Sequence, residues 1–442
     1  MTDIPPAGGA VSEQERAVTA ALEASAEELA RFVSDFVAIP SVSGSEGEAA
    51  AFVEDWLRRN GFDAERQYID PSALERWPEC AHERDLDQRP NIVGRLRTGD
   101  RRLPDLVLNG HLDVVPVGDE SKWQRSPFSG ARVGGRIFGR GATDMKGGLG
   151  AGLFAMRALR DAGVALPFDV QVQCVVAEET GGLGTLSLMD GAPLPSAVIV
   201  LEPTACRIVT AAGGAAPFTV GVAGRAAHVA TPWTGVSAFD KLVKVHERLR
   251  RLEQERETTL DHPLFNQLPQ KAPLSIGRVE AGDWRLTIPD EAWIYGRIGT
   301  LPSEDLDTVR AAVRRALDEL GDQDDWFRTH PASLTWDGPG FAGWEVPRDG
   351  DLAASLLAAA AQLSGDTEPA CITYGSDASA FARQSVPVAL FGPGDIQEAH
   401  VKDESVAEAD VSYASKVTAL AISRFAATAY ARGGVPALEA QA

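Results

Sequence analysis

Along residues 12 to 38 apolar positions recur at helical spacing, with Leu22, Leu29, Phe32 and Phe36 set among polar neighbours, which predicts a helix. Two strand-like runs follow, NIVGRL and DLVLNGHLDVV. The stretch MKGGLGAGLFAMRALRDAG returns to helical spacing, with Leu149, Leu153, Met156 and Leu159 on one face and Gly163 as the stop. VQVQCVV and SAVIVLEP are again strand-like. Strands alternating with helices predict an α/β layered domain.

The pattern then changes. PFTVGVAGR reads as a strand, and VSAFDKLVKVHERLRRLEQER as a helix with a stripe of Leu242, Val245, Leu249 and Leu252. PLSIGRV and EAWIYGRIGTL are two further strands. SEDLDTVRAAVRRALDELG is a helix opened by Ser303, acidic in its first turn and closed by Gly321, and ASLTW is a last strand. The order βαββαβ is that of a ferredoxin-like split βαβ domain, placed at residues 210–338. After the Gly/Pro-rich connector WDGPGFAGWEVPRDGD, the runs LAASLLAAAAQL, VPVALFGPG and VSYASKVTALAISRFAATAY return to helix, strand, helix. The small domain is therefore read as an insertion in a larger one made of residues 1–209 and 339–442.

Composition narrows the classes. A chain of 442 residues exceeds what one core usually supports, in keeping with two domains. The net charge of −21 opposes binding to nucleic acid or to an anionic membrane. No apolar run is long enough to span a bilayer. The start, MTDIPPAGGAVSEQER, lacks the basic and apolar regions of a signal peptide and reads as a short flexible leader. The cysteines Cys80, Cys174, Cys206 and Cys371 form no CxxC pair, which predicts free thiols and a cytoplasmic protein. Cys80 and His82 make a lone C-x-H pair without the second pair that a zinc finger needs.

The chemistry lies where the strand runs stop. His111 follows LVLNG, the adjacent Glu178 and Glu179 follow VQVQCVVA, Glu202 follows AVIVL, and His400 follows VPVALFGPGDIQEA. Two neighbouring carboxylates repel, so this pair is either solvated in a loop or beside something positive. Open α/β sheets bind ligands beyond the carboxyl ends of their strands, so these ends bring two imidazoles and three glutamates to one edge. Asp144, in GRGATDMKGG, adds a carboxylate just before a helix, near the positive end of its dipole. Imidazole and carboxylate donors suit zinc, cobalt or manganese, and a bridging carboxylate can hold two ions about 3.5 Å apart. Asp113, two residues beyond His111 on a strand, points the same way and is placed to hold the far ring nitrogen of that histidine.

The motifs GHLDVVP, GRGATDMKGG, EETGGLG, LEPT, GRAAHVATP and FGPGDIQEAHVKDES together resemble a dinuclear zinc metallopeptidase family. It includes acetylornithine deacetylase, succinyl-diaminopimelate desuccinylase, aminoacylase-1 and carboxypeptidase G2. The resemblance runs from about residue 30 to 425. It implies a zinc-peptidase-like catalytic domain, with a mixed sheet between helices, carrying an inserted lid and dimerisation domain. It implies His111, Asp144 and Glu202 as ligands of one metal and Asp144, Glu179 and His400 as ligands of the other. It implies a cis Asp144–Met145 peptide, Asp113 as orienter of His111 and Glu178 as general base. It makes His228 an oxyanion stabiliser given to the neighbouring subunit. Where many members carry an Asn three residues before the lid proline, Leu286 precedes Pro289 here, beside Trp284 and Arg285. Tyr374, Gly375 and Ser376 occupy a region that often contacts substrate.

The expectation is a homodimeric hydrolase of small N-acyl amino acids, most like acetylornithine deacetylase. It would hold two divalent metal ions per subunit, zinc first and cobalt or manganese as alternatives. Arg285, Arg297 and Lys402 are candidates to hold a substrate carboxylate, unless Arg297 pins the lid strand instead. A dipeptidase or glutamate-type carboxypeptidase on the same scaffold, and a non-catalytic binding protein, are the competing readings.

Overall fold

The structure, a computed structural model, describes residues 12–77, 80, 83–338, 340–365 and 368–432. Residues 1–11 of the leader, and His82 of the C-x-H pair, lie outside them. The chain divides into two compact units. One comprises Met1–Thr210, Val346–Ala370 and Ser376–Ala442, and the other Ala211–Glu345 and Cys371–Gly375.

The helix read over residues 12–38 is two helices, α1 (Glu13–Ala24) and α2 (Ala26–Val37). Ser12 caps α1 in a reciprocal box with Glu15, so residues 13–16 are helical rather than part of a leader. The break falls at Ser25, whose hydroxyl donates back to the Ala21 carbonyl at 2.9 Å, a bond that bends helices. Next come α3 (Gly47–Arg59), β1 (Asp63–Gln67), β2 (Asn91–Leu96), β3 (Leu106–His111), α4 (Gly147–Asp161), β4 (Val170–Val175), α5 (Leu183–Met189) and β5 (Ala197–Val200). Every residue of β3 and of β5 is buried, the pattern of central strands covered on both faces.

The second unit holds β6 (Gly214–Ala223), α6 (Ala238–Thr259), β7 (Leu274–Ala281), β8 (Glu291–Thr300), α7 (Leu306–Asp318) and β9 (Ser333–Trp336). The strands form an antiparallel sheet in the order β7-β8-β6-β9, and α6 and α7 pack on it. Phe218, Val220, Leu242, Leu249, Ile294 and Val313 fill its core. This is the ferredoxin-like βαββαβ arrangement. The ends of α7 differ from the sequence reading. Asp305, not Ser303, caps it by accepting the Thr308 N–H at 2.9 Å, and the helix ends before Gly321, which lies in the short helix Leu320–Gln323.

The first unit resumes with α8 (Asp351–Ser364), β10 (Val388–Leu390) and α9 (Glu408–Ala431). Its mixed sheet runs β1-β2-β4-β3-β5-β10. Strand β2 is antiparallel to both β1 and β4, whereas β4, β3, β5 and β10 run parallel. The carboxyl ends of four strands therefore open on one edge. Helix α9 packs on α4, α8, α1 and α2. Among the described residues no helix is long and apolar enough to cross a membrane.

Candidate metal centre

Strand β3 ends on His111 itself. Strand β4 stops at Val175, and the chain turns through Ala177, at φ 58°, to present Glu178 and Glu179. Glu202 follows β5 by two residues, and His400, at φ 60°, closes the loop after β10. Asp144 lies in an irregular turn, Ala142–Lys146, that leads into α4, and the Asp144–Met145 peptide is cis. The glycines opening α4 let it approach closely. A Cβ on Gly148 would stand 1.9 Å from the Leu201 carbonyl oxygen, so the helix start lies directly on the loop carrying Glu202.

Two groups of donors result. His111, Asp144 and Glu202 offer atoms within 4.8 Å of one another, and so do Asp144, Glu179 and His400. Asp144 belongs to both, and its two oxygens divide between them. Oδ1 is 3.0 Å from His111 Nε2, and Oδ2 is 3.4 Å from His400 Nε2, which is also 3.2 Å from Glu179 Oε1. The histidines sit differently: the His111 side chain is 1% exposed and that of His400 51%.

Electrostatics shows what the cluster needs. Burial, then the carboxylates of Glu202 and Asp377, push the Glu178 carboxyl well above the usual glutamate range. Burial, then Asp144, do the same to Glu202. Burial opposes the charged form of Asp144, but hydrogen bonds from His111 and His400 outweigh it and hold that carboxyl low. Hydrogen bonds to Asp144 and Glu179 raise His400 to about 10. The cluster thus carries more negative charge than its imidazoles balance. A mixed imidazole and carboxylate set with that deficit fits divalent cations such as zinc, cobalt or manganese.

The partners of this cluster are only partly those read from sequence. His111 Nδ1 faces the backbone carbonyl of Asp113 at 2.8 Å, while the Asp113 carboxylate stands back at 3.8 Å. That carboxylate instead accepts the N–H of Glu178 at 3.1 Å, the N–H of Glu179 at 3.2 Å and the Ser43 hydroxyl at 2.9 Å. Asp113 therefore meets His111 with its main-chain carbonyl and the two-glutamate turn with its carboxylate. Sequence reasoning missed Glu404 and Asp377. Buried Glu404 accepts the N–H groups of Thr143 and Asp144 at 2.9 and 3.2 Å and is paired with Arg140 at 2.6 Å. Buried Asp377 accepts the Thr185 hydroxyl at 2.6 Å. The only signal was an acidic residue four positions after His400, in HVKDES, and one in YGSDAS.

The remaining candidates divide between the units. In the second unit His228 lies on a two-stranded ribbon, Ala227–His228 against Thr287–Ile288. Its Nδ1 accepts the Ala230 N–H at 3.1 Å, which leaves the ring proton on Nε2 as an outward donor. Trp284, Arg285 and Leu286, on the same ribbon's turn, are exposed. Arg297 on β8 is half-buried and donates from Nη2 to the carbonyl of Thr373, a residue of its own unit. Gly375 is accounted for by packing, since a Cβ there would stand 2.3 Å from the Phe341 ring. Tyr374 shares that unit, Ser376 begins the return to the first unit with its hydroxyl buried, and Lys402, also in the first unit, is exposed.

A family model described as peptidase family M20/M25/M40 matches residues 107–424. The N-formyl-4-amino-5-aminomethyl-2-methylpyrimidine deformylase of Halalkalibacterium halodurans is 27% identical over 407 residues, covering 87% of this chain and 91% of that one. A probable succinyl-diaminopimelate desuccinylase of Staphylococcus epidermidis is 26% identical, with 85% and 92% covered. The crystal structure of human carnosine dipeptidase 1 superposes with a TM-score of 0.71 over 94% of this chain and 99% of that one, at 18% identity.

Proposed function

Because the chain belongs to peptidase family M20/M25/M40, we propose that it is a two-metal hydrolase that cleaves the amide bond of a small N-acyl amino acid. The observation that carries this reading is the pair of donor groups sharing Asp144, one oxygen to each, with Glu178 beside them. The relatives' names, a deformylase and a desuccinylase, both describe removal of an acyl group, which supports a deacylase. His111, Asp144 and Glu202 would hold one ion and Asp144, Glu179 and His400 the other. Zinc fits these donors best, with cobalt or manganese next.

Such ions, when bound, supply Lewis acidity to a water and to the scissile carbonyl. The chain's own residues do the rest. Glu178 takes a proton from the attacking water as its oxygen bonds to the carbonyl carbon. The same carboxyl returns the proton to the nitrogen as the C–N bond breaks. Asp113 holds the turn so that Glu178 and Glu179 diverge. His228, with its outward Nε2–H, donates to the oxygen that becomes negative.

The second unit supports a homodimer. Trp233, Phe239, Val243 and Trp284 are exposed there, and β7 is an edge strand with Val279 outward. His228→Ala is expected to lower turnover roughly 100-fold or more while metal content stays at the wild-type value. Mixing that variant with Glu178→Ala subunits should restore activity in heterodimers, since one site then has both groups. Heterodimers that stay inactive would sink donation across the interface.

The reaction itself is tested on the metal-loaded protein with N-acetyl, N-formyl and N-succinyl amino acids and with dipeptides. Turnover of acyl amino acids, abolished by chelation and restored by metal, is the expected result. Cleavage of dipeptides alone would establish the peptidase reading, and no turnover of any amide would leave a binding protein.

A further inference from the structure

The turn bearing Glu178 and Glu179 needs support. Ala177, at φ 58°, sits in the left-handed region that a side chain disfavours, and such a residue persists where its surroundings over-determine it. Asp113 holds the start of the turn, and the Gly182 N–H closes it on the Ala177 carbonyl at 2.9 Å. Its middle is held by a segment with no part in the chemistry above. The Thr180 hydroxyl donates to Glu83 Oε1, and Cys80 Sγ donates to the Gly181 carbonyl at 3.4 Å.

Glu83 is itself fixed. Its other oxygen accepts Arg89 Nη1, and Arg89 grips Glu46 with two parallel bonds of 2.6 Å, Nε to Oε2 and Nη2 to Oε1. Glu46 stands at the start of α3 and also accepts the Gly44 N–H at 3.1 Å. Glu46, Arg89 and Glu83 are 0%, 1% and 5% exposed. Burial works against the Arg89 charge, but the two carboxylates outweigh it and raise its proton affinity. Glu46, Arg89 and Glu83 are joined by three hydrogen bonds and held out of water. Apolar side chains of equal volume would generally stabilise the fold as well or better. What the cluster supplies is a fixed geometry, passed from α3 to Glu83 and from Glu83 to the Thr180 hydroxyl.

We propose that the buried Glu46–Arg89–Glu83 cluster is a positioning device for the Glu178–Glu179 turn, acting through the Glu83–Thr180 hydrogen bond. Its catalytic consequence rests on the amide-hydrolysis reading. Its effect on metal binding through Glu179 does not.

Thr180→Val removes the hydroxyl at nearly constant volume, and Thr180→Ser keeps it. The valine variant is expected to lose about 10–100-fold in kcat with KM changed by less than about threefold, and the serine variant to recover most of that loss. Loaded with cobalt(II), the valine variant should show a weaker affinity and an altered visible absorption spectrum, and the serine variant the wild-type spectrum. Arg89→Lys added to Thr180→Val should cost little more in kcat, because both act on one chain of contacts; if the double variant does not fold, the Thr180 pair decides alone. A valine variant with wild-type kcat and wild-type cobalt spectrum would overturn the proposal, as would a loss that serine fails to rescue. Should the wild-type protein turn over no amide, the amide-hydrolysis reading falls, and the cobalt comparison still decides the positioning role.

Discussion

Glu178→Ala is expected to leave a protein that still loads two metal ions but turns over its substrate about 10³-fold more slowly. Glu178 is a member of neither donor group, so its loss should not strip an ion. Burial and its neighbours Glu202 and Asp377 do, however, raise its proton affinity above the usual glutamate range. Removing it deletes both proton transfers: the one that makes water a nucleophile and the one that makes the amine a leaving group. A factor of 10³ in rate corresponds to about 4 kcal/mol of barrier. Metal content by plasma emission and kcat by amine release check the two halves separately. Near-normal turnover would remove Glu178 from the mechanism, and lost metal would move it among the ligands.

Asp144→Ala should act in the opposite order, abolishing activity by emptying the centre. Each oxygen of Asp144 serves a different donor group, so one substitution takes a ligand from both. It also leaves His111 and Glu202, and Glu179 and His400, as two-donor remnants. The expected loss of affinity exceeds the roughly 10–100-fold that supporting partners of ligands contribute. Glu202→Ala, by contrast, should weaken one ion selectively. The check is a competition titration against a chelator, with two-ion binding at wild-type affinity in Asp144→Ala as the result that defeats the shared-carboxylate reading.

Much of the scaffold was legible because strand ends announce themselves. Val107, Leu108, Val198 and Ile199 are apolar runs that stop abruptly at polar residues, and parallel pairing sends those stops to one edge. The ferredoxin-like order was legible for the same reason, since α6 and α7 each carry a clean apolar stripe. Helix α3 was missed although Ala49, Val53 and Leu57 recur at helical spacing on its buried face, where Glu54 is buried with them. Asp113 meets His111 by its main chain rather than by its carboxylate for a geometric reason. The alternation of side chains holds only inside a strand, and β3 ends at His111, so two residues later the carboxylate is free to turn to the Glu178 and Glu179 amides. Contacts such as Arg89 with Glu46 span 43 residues and no local pattern encodes them.

The interrupted first unit bears on how the protein is made. A nascent chain that has reached Glu345 contains every residue of β6 through β9, and the second unit lacks only Cys371–Gly375. The first unit at that moment lacks α8, β10 and α9, and with them the strand that pairs with β5 and the helix that covers α4. Domains generally fold as units in the order they leave the ribosome. Here the surfaces that α1, α2 and α4 give to α9 wait for it through the synthesis of the whole insertion. The interval is one in which a chaperone has something to hold, and the donor group containing His400 cannot be complete until it ends.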